Sequence, residues 1–331
     1  MERIGVAFAG GMSPPEIVEC VQLAEELGYE SAWMAEGHGG DQFSILTACA
    51  LSTKTILLGT SISSVFVRSA PTIAMAAASV DHFSGGRFIL GLGSSHKVQV
   101  EPEHGLTFSD PIPRLRECVD IVRTLLRDGR VSHSGRVFDI QGFDLWFEPL
   151  RREIPIYLAG VFPKMLGICG EIAQGAILTW STLEHVREAA QHVSDGAQRA
   201  GKSPQKVDMA TLLSCSVSSD LDKARQLMRP IVVNYVQFPR YGRLMAEAGF
   251  PGEVEAMRQA LREGDRDRAL KLVPDGLIDE ITLVGGPDRC RQRIKDYRGA
   301  GIALPIVAPR TSGENAKTSA METIRACAPE D

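Results

Sequence analysis

Apolar positions along the chain alternate between two rhythms. Residues 4–9 (IGVAFA) alternate large and small side chains and read as a strand. Ser13-Pro14-Pro15-Glu16 follows, a capping box with proline in the first helical turn, and Ile17, Val21, Ala24 and Leu27 then recur at helical spacing up to Gly28. The unit repeats. Strands are predicted at 31–35, 56–62 and 87–93, with helices at 42–52, 71–83 and 114–127. In the second half, strands at 154–159 and 176–180 alternate with helices at 164–174 and 183–200. A seventh strand is predicted at 207–217 and an eighth at 303–307, the latter after a helical stretch at 287–298. Eight strands alternating with helices predict a (β/α)8 TIM barrel rather than an open sheet. The surplus is localised at 218–285, a mostly helical insertion between strand seven and the last barrel helix. Without it the chain is close to the ~250 residues typical of such a barrel. No low-complexity linker interrupts 1–331, which reads as a single domain.

Composition narrows the function. Of 331 residues, 44% are apolar and 23% charged, the balance of a globular protein rather than a disordered one. The net charge of −5 leaves no basic surplus for a nucleic-acid partner. No apolar run reaches the ~20 residues of a membrane span. The apolar run at 4–9 is soon broken by Gly10-Gly11 and does not read as a secretory signal, so a cytoplasmic location is expected. Seven cysteines are dispersed without a CxxC pair, which fits reduced thiols, and no HExxH or tight His/Asp/Glu cluster argues for a metal.

Catalytic groups of such barrels sit just beyond the C-terminal ends of the strands. There the chain carries Glu36, Gly37 and His38 after strand two, Ser61, Ile62 and Ser63 after strand three, and Gly93, Ser94, Ser95 and His96 after strand four. Two histidines on nearby strands suit acid–base work near neutral pH. Glu36 can accept from a ligand or pair with Arg68. Gly91 to His96 does not make a dinucleotide loop, because the third glycine is replaced by His96 and no helix opens at once. Gly160-Val161-Phe162-Pro163-Lys164 opens onto a helix N-terminus, where free N–H groups favour a phosphate. Phe108, Tyr235, Phe238 and Tyr241 are either core or a platform for a flat ligand.

The chain resembles the bacterial-luciferase-like superfamily, most of all its branch containing the methylenetetrahydromethanopterin reductases that use the deazaflavin coenzyme F420. The resemblance rests on Leu58-Gly59-Thr60-Ser61 with Arg68-Ser69-Ala70-Pro71, Ser84-Gly85-Gly86-Arg87 leading into Leu90-Gly91-Leu92-Gly93, and Ile154-Pro155-Ile156-Tyr157. Ala200-Gly201-Lys202-Ser203 and Val284-Gly285-Gly286-Pro287-Asp288 extend it over nearly the whole chain. It implies a non-proline cis peptide between Ser61 and Ile62, in a bulge that buttresses one face of the deazaflavin. It also implies that Ser61, Ile62, Ser63, Gly93, Ser94, Ser95, Gly160, Val161, Trp180 and Ser181 bind the coenzyme, with Glu36 and His38 at the ring edge. The expected reaction is hydride transfer between the deazaflavin C5 and an unsaturated carbon of a small substrate, with His96 or His38 donating a proton. Glu36, His38 and His96 are thus the catalytic candidates. Two departures concern the substrate. The pterin reductases carry a glutamate in strand one where this chain has Ala7, and here the histidine follows Glu36 by two positions rather than one. Alternatives are an FMN-dependent monooxygenase on the same barrel and a barrel that only sequesters a ligand. Family members are commonly homodimers.

Overall fold

A computed structural model describes residues 2–311, 313 and 315–330. The first half contains β1 (Gly5–Phe8), α1 (Pro14–Glu26), β2 (Ser31–Met34), α2 (Gln42–Ser52), β3 (Leu57–Thr60), β4 (Ser63–Ser64), α3 (Ala70–Ser84) and β5 (Phe88–Gly93). Next come α4 (Lys97–His104), α5 (Pro111–Asp128), β6 (Arg130–Ser134) and β7 (Asp139–Asp144). The second half runs β8 (Ile156–Ala159), α6 (Pro163–Ile172), β9 (Gly175–Thr179), α7 (Leu183–Arg199) and β10 (Asp208–Val217). The insertion holds α8 (Leu221–Val236), α9 (Pro239–Glu247), α10 (Pro251–Arg262), α11 (Arg266–Leu272) and α12 (Asp275–Ile281). The chain then forms β11 (Leu283–Gly285), α13 (Pro287–Gly299), β12 (Leu304–Pro309) and α14 (Ala316–Ala326).

Parallel pairing runs β10-β12-β1-β2-β3-β5-β8-β9 and returns from β9 to β10, which closes an eight-stranded barrel. The expected TIM barrel is thus present, with strands at the predicted places. Side chains alternate as its pleat requires. Ala7, Trp33, Ile89, Tyr157, Ile177, Ala210, Leu304, Ile306 and Ala308 fill the interior, while Val6, Phe8, Leu58, Leu90 and Leu92 point outward into the layer shared with the helices. Two rings account for much of the interior. Trp33 and Tyr157 lie 5.6 Å apart, and a Cβ on Gly59 would stand 2.4 Å from the Trp33 ring. Glycine at 59 is therefore the space that Trp33 occupies. At the N-terminal end, Arg3 bridges Glu30 and Asp208, and the Tyr157 hydroxyl donates to Asp208 at 2.5 Å.

The helix caps follow the sequence. Glu16 reaches back to the Ser13 N–H at 2.8 Å, and Asp41 accepts from the Ser44 N–H at 2.8 Å to open α2. All seven cysteines are buried and unbridged.

Four features depart from the sequence reading. The insertion has its own apolar cluster, centred on Met228, Val232, Met245, Met257 and Ile278, and it ends in the short strand β11, which pairs with the end of β10. The helix that follows, α13, is the seventh of the barrel, not the last. The eighth is α14, whose buried face of Ala316, Ala320, Thr323 and Ile324 is too small-residued to give a strong periodic signal. The polar loop after β5 contains α4, and residues 130–144 form the antiparallel β6–β7 hairpin outside the barrel.

Candidate active site

The C-terminal mouth of the barrel opens into a cavity of about 670 Å³. Its floor is apolar, made by Ala7, Ile62, Ala159, Ile177 and Leu212. Three neighbouring strands, β3, β5 and β8, supply one wall.

Local packing shapes that wall. After Thr60 the chain leaves β3 at Ser61, the Ser61–Ile62 peptide is cis as expected, and β4 resumes pairing with β5. The detour brings backbone close to β5. A Cβ on Gly91 would lie 1.8 Å from the Thr60 carbonyl oxygen, and one on Gly93 would lie 2.7 Å from Ile62 Cγ1. Glycine is required at both positions by this close approach, which is why the strand reads Leu-Gly-Leu-Gly. Ile62 then presents its side chain to the cavity. Ser61 Oγ is buried and has no hydrogen-bond partner among the described residues.

The wall continues through Gly160 and Val161 to the N-terminus of α6. Phe162 caps that helix without a side-chain hydrogen bond, and the first intrahelical bond runs from the Leu166 N–H to the Phe162 carbonyl. The N–H groups of Lys164 and Met165 therefore have no helical partner, and both residues line the cavity. Free N–H groups, the helix dipole and the Lys164 ammonium make a place for an anionic tail.

Ten cofactor-binding residues were expected, and seven of them, Ser61, Ile62, Gly93, Ser94, Ser95, Gly160 and Val161, line this one cavity. Three lie behind it. Ser63 is fully buried and turned toward Glu36 at 3.5 Å, Trp180 packs into the insertion's core against Tyr235, and the Ser181 hydroxyl donates to the Thr179 carbonyl at 3.3 Å.

All three catalytic candidates, Glu36, His38 and His96, also reach the cavity. Glu36 is committed to protein partners. One oxygen accepts from Arg68 Nε at 2.5 Å and the other from the Ser64 N–H at 2.6 Å, so of its two readings the Arg68 pair is the one formed. Arg68 also pairs with Asp41. His38 stands at the rim, largely exposed, 3.3 Å from Glu103. His96 lies deeper. Its ring packs 4.9 Å from Phe238 and 5.1 Å from Tyr241, the two aromatic residues that α8–α9 carry over the mouth beside Tyr235. Burial first, and the charge of Arg240 second, push its pKa down to about 4, so near pH 7 it is a neutral imidazole. It does not stand as a ready imidazolium proton donor; it can accept a proton or hold one on a single nitrogen. Phe108 stacks on Phe66 at 4.5 Å instead of entering the cavity.

Two lining residues escaped the sequence reading, Arg240 and Arg310. Arg310 stands directly past β12, so the rule that found the other candidates also points to it. Arg240 sits at the start of α9, where nothing in the sequence separates it from the insertion's other arginines.

The fold and this site define a (β/α)8-barrel protein that holds a ligand in the C-terminal mouth of the barrel. The chain belongs to the luciferase-like monooxygenase family, whose model matches residues 3–304. It is 32% identical over 324 residues to a 5,10-methylenetetrahydromethanopterin reductase of Archaeoglobus fulgidus, covering 96% of each chain. It is 26% identical to an F420-dependent glucose-6-phosphate dehydrogenase of Amycolatopsis mediterranei, covering 91% of each. Among solved structures, the coenzyme F420-dependent tetrahydromethanopterin reductase of Methanopyrus kandleri superposes with a TM-score of 0.87 at 25% identity, covering 99% of this chain and 98% of that one. Among the described residues no helix is long and apolar enough to cross a membrane.

Proposed function

We propose that this protein is a coenzyme F420-dependent oxidoreductase acting on a small molecule. The observation that carries the reading is the single wall formed by β3, β5 and β8, with an apolar bulge at Ile62, an unpartnered Ser61 hydroxyl and the open N-terminus of α6. These features suit a flat heteroaromatic ring joined to an anionic tail. When bound, the deazaflavin supplies a carbon that takes up or gives up a hydride. The protein's share is orientation and exclusion of water, holding the reacting carbons near 3–3.5 Å.

In this reading Ile62 and Ser61 would hold the ring, and the Lys164 and Met165 N–H groups would receive the anionic tail. Ser94 and Ser95 border the ring from β5. His96, neutral near pH 7, would orient a substrate hydroxyl or amine by a hydrogen bond to one ring nitrogen rather than carry its proton as an imidazolium. Glu36 holds the bulge through Ser64 and Arg68 rather than exchanging protons. Ala7 puts a methyl group on the floor where the pterin reductases carry a glutamate, so the proposal does not extend to a pterin substrate.

The chain is proposed to act as one domain in the cytoplasm and to form a homodimer. Support for self-association comes from exposed Phe83, Phe147, Leu150 and Trp146. Three of the four fall within residues 146–150, and His82, next to Phe83 in α3, lies 5.8 Å from the Phe147 ring. Light scattering on the purified protein measures the oligomeric state.

The test of function is titration of the purified protein with F420 and with FMN, followed by fluorescence quenching. Saturable F420 binding and reduction of imines, enones or ketones by reduced F420 are expected. Tight FMN binding with oxygen consumption overturns the proposal.

A further inference from the structure

The chain carries a net charge of −5, yet the cavity is lined by the opposite sign. Lys164, Arg240 and Arg310 all reach it, and the one carboxylate among its described lining residues, Glu36, is already bonded to Arg68. Lys164 belongs to the α6 wall. Arg240 and Arg310 have no role in the reading above.

Arg310 is the more constrained. Its backbone N–H donates to the Cys215 carbonyl at 2.8 Å, which continues the β10–β12 ladder by one residue and fixes where the side chain starts. Nε donates to Ser214 Oγ at 3.1 Å, which sets the plane of the guanidinium. Among the described residues no carboxylate lies within ion-pair distance of it, and its two terminal nitrogens have no partner. Its environment is the Tyr235 side of the aromatic cluster, and burial pulls its pKa below the ordinary arginine value. Arg240 also lines the cavity, close enough to the same cluster for its charge to act on Tyr241 and His96. It too has no carboxylate partner among the described residues. A largely buried guanidinium is retained where something anionic completes it. A planar fork with free N–H pairs recognises a carboxylate or a phosphate by two parallel hydrogen bonds.

The barrel order says which ligand this serves. β12 is four strands from β5 in either direction around the closed sheet. Arg310 therefore faces the Gly93–Ser95 turn across the mouth, outside the β3–β5–β8 wall assigned to the coenzyme.

We propose that the substrate of this site carries an oxyanion, a carboxylate or a phosphate ester, bound by the Arg310 guanidinium, with Arg240 adding attraction at the aromatic rim. The proposal rests on the coenzyme reading only for what fills the opposite wall. The oxyanion is held at one end of the substrate while Tyr235, Phe238 and Tyr241 cover its body.

The experiment measures binding of benzoate, phenyl phosphate and the neutral analogue benzamide by calorimetry, to the protein alone and to the protein saturated with F420. Wild type is expected to bind at least one of the two anions roughly tenfold or more tighter than benzamide, as charge-assisted hydrogen bonds allow. The preferred anion distinguishes a carboxylate from a phosphate ester. Arg310→Gln removes the preference, Arg310→Lys keeps only part of it because an ammonium cannot form the two parallel bonds, and Arg240→Gln lowers it severalfold. F420 affinity in all three stays within about twofold of wild type, because the coenzyme wall is untouched. A wild type that binds benzamide as well as both anions overturns the proposal, and so does a preference that survives Arg310→Gln. A loss of F420 affinity in Arg310→Gln without a change in anion preference also overturns it, by assigning the cation to the coenzyme. If wild type fails to bind F420 but keeps an Arg310-dependent anion preference, the coenzyme reading falls and the oxyanion site stands.

Discussion

Replacing His96 with glutamine tests whether the imidazole is held neutral by its surroundings. The ordinary histidine pKa is 6.5, and burial plus the Arg240 charge bring it to about 4 in the folded protein. The sign follows from proton counting. Between these values the unfolded chain binds a proton at residue 96 and the folded chain does not, so stability is lost as pH falls from about 6.5 toward 4. Integrating the two titrations from about pH 7.5 to about pH 5 gives a loss of ~2 kcal/mol from this residue alone. His185, also pushed down by burial, is present in both proteins and cancels in the difference. The assay is urea unfolding of wild type and His96→Gln at both pH values. Wild type should lose about 2 kcal/mol more than the variant over the interval, whatever the variant's stability near neutrality. Equal losses would show that His96 titrates normally, and its role as a neutral hydrogen-bonding group would go with them.

Gly91→Ala places a methyl group against the Thr60 carbonyl, and the protein should lose more than about 3 kcal/mol in thermal or urea unfolding, whereas Gly37→Ala, with open space around it, should change little. Arg68→Met leaves the part-buried Glu36 carboxylate with the Ser64 N–H but no cation. About 1–2 kcal/mol of destabilisation is expected, measured by urea unfolding at neutral pH, together with weaker F420 binding as the bulge loosens. Lys164→Gln should weaken F420 by roughly fivefold in fluorescence titration, an effect that shrinks with added salt, and should leave the tail-free deazaflavin chromophore unaffected.

The barrel was legible because its signals are short-range and repeated. Alternation in residues 4–9, capping at Ser13–Glu16 and the glycines of β5 each constrain the fold locally. The site was legible where it obeys the rule that function follows strand ends, as at Ser61, Ser94, His96 and Gly160. It was obscured where tertiary contact decides. Trp180 looks like a rim residue by position, but it has φ +57° and turns into the insertion's core. Glu36 looks like a catalytic acid, but Arg68, a residue 32 positions away, takes one of its oxygens. His96 looks like a proton donor until Phe238 and Tyr241, more than a hundred residues downstream, pack over it.

These long-range contacts divide the site by origin. The β3–β5–β8 wall is built from close approaches, of the Thr60 backbone to Gly91 and of the Ile62 side chain to Gly93, so it can change little without loss of the barrel. The opposite side is made by side chains on α8 and α9, in a layer with its own apolar core, and by Arg310 at the end of β12. Substitutions at Tyr235, Phe238 or Arg240 alter the mouth without touching a barrel strand. A coenzyme wall and a separately built substrate side, as proposed, would let one barrel serve different substrates. They also mean that resemblance concentrated in the strands, as at Leu90–Gly93 and Ile154–Tyr157, speaks for the coenzyme more strongly than for the substrate. On the proposed reading, Ala7 in place of a glutamate and the guanidinium at Arg310 set this chain's specificity.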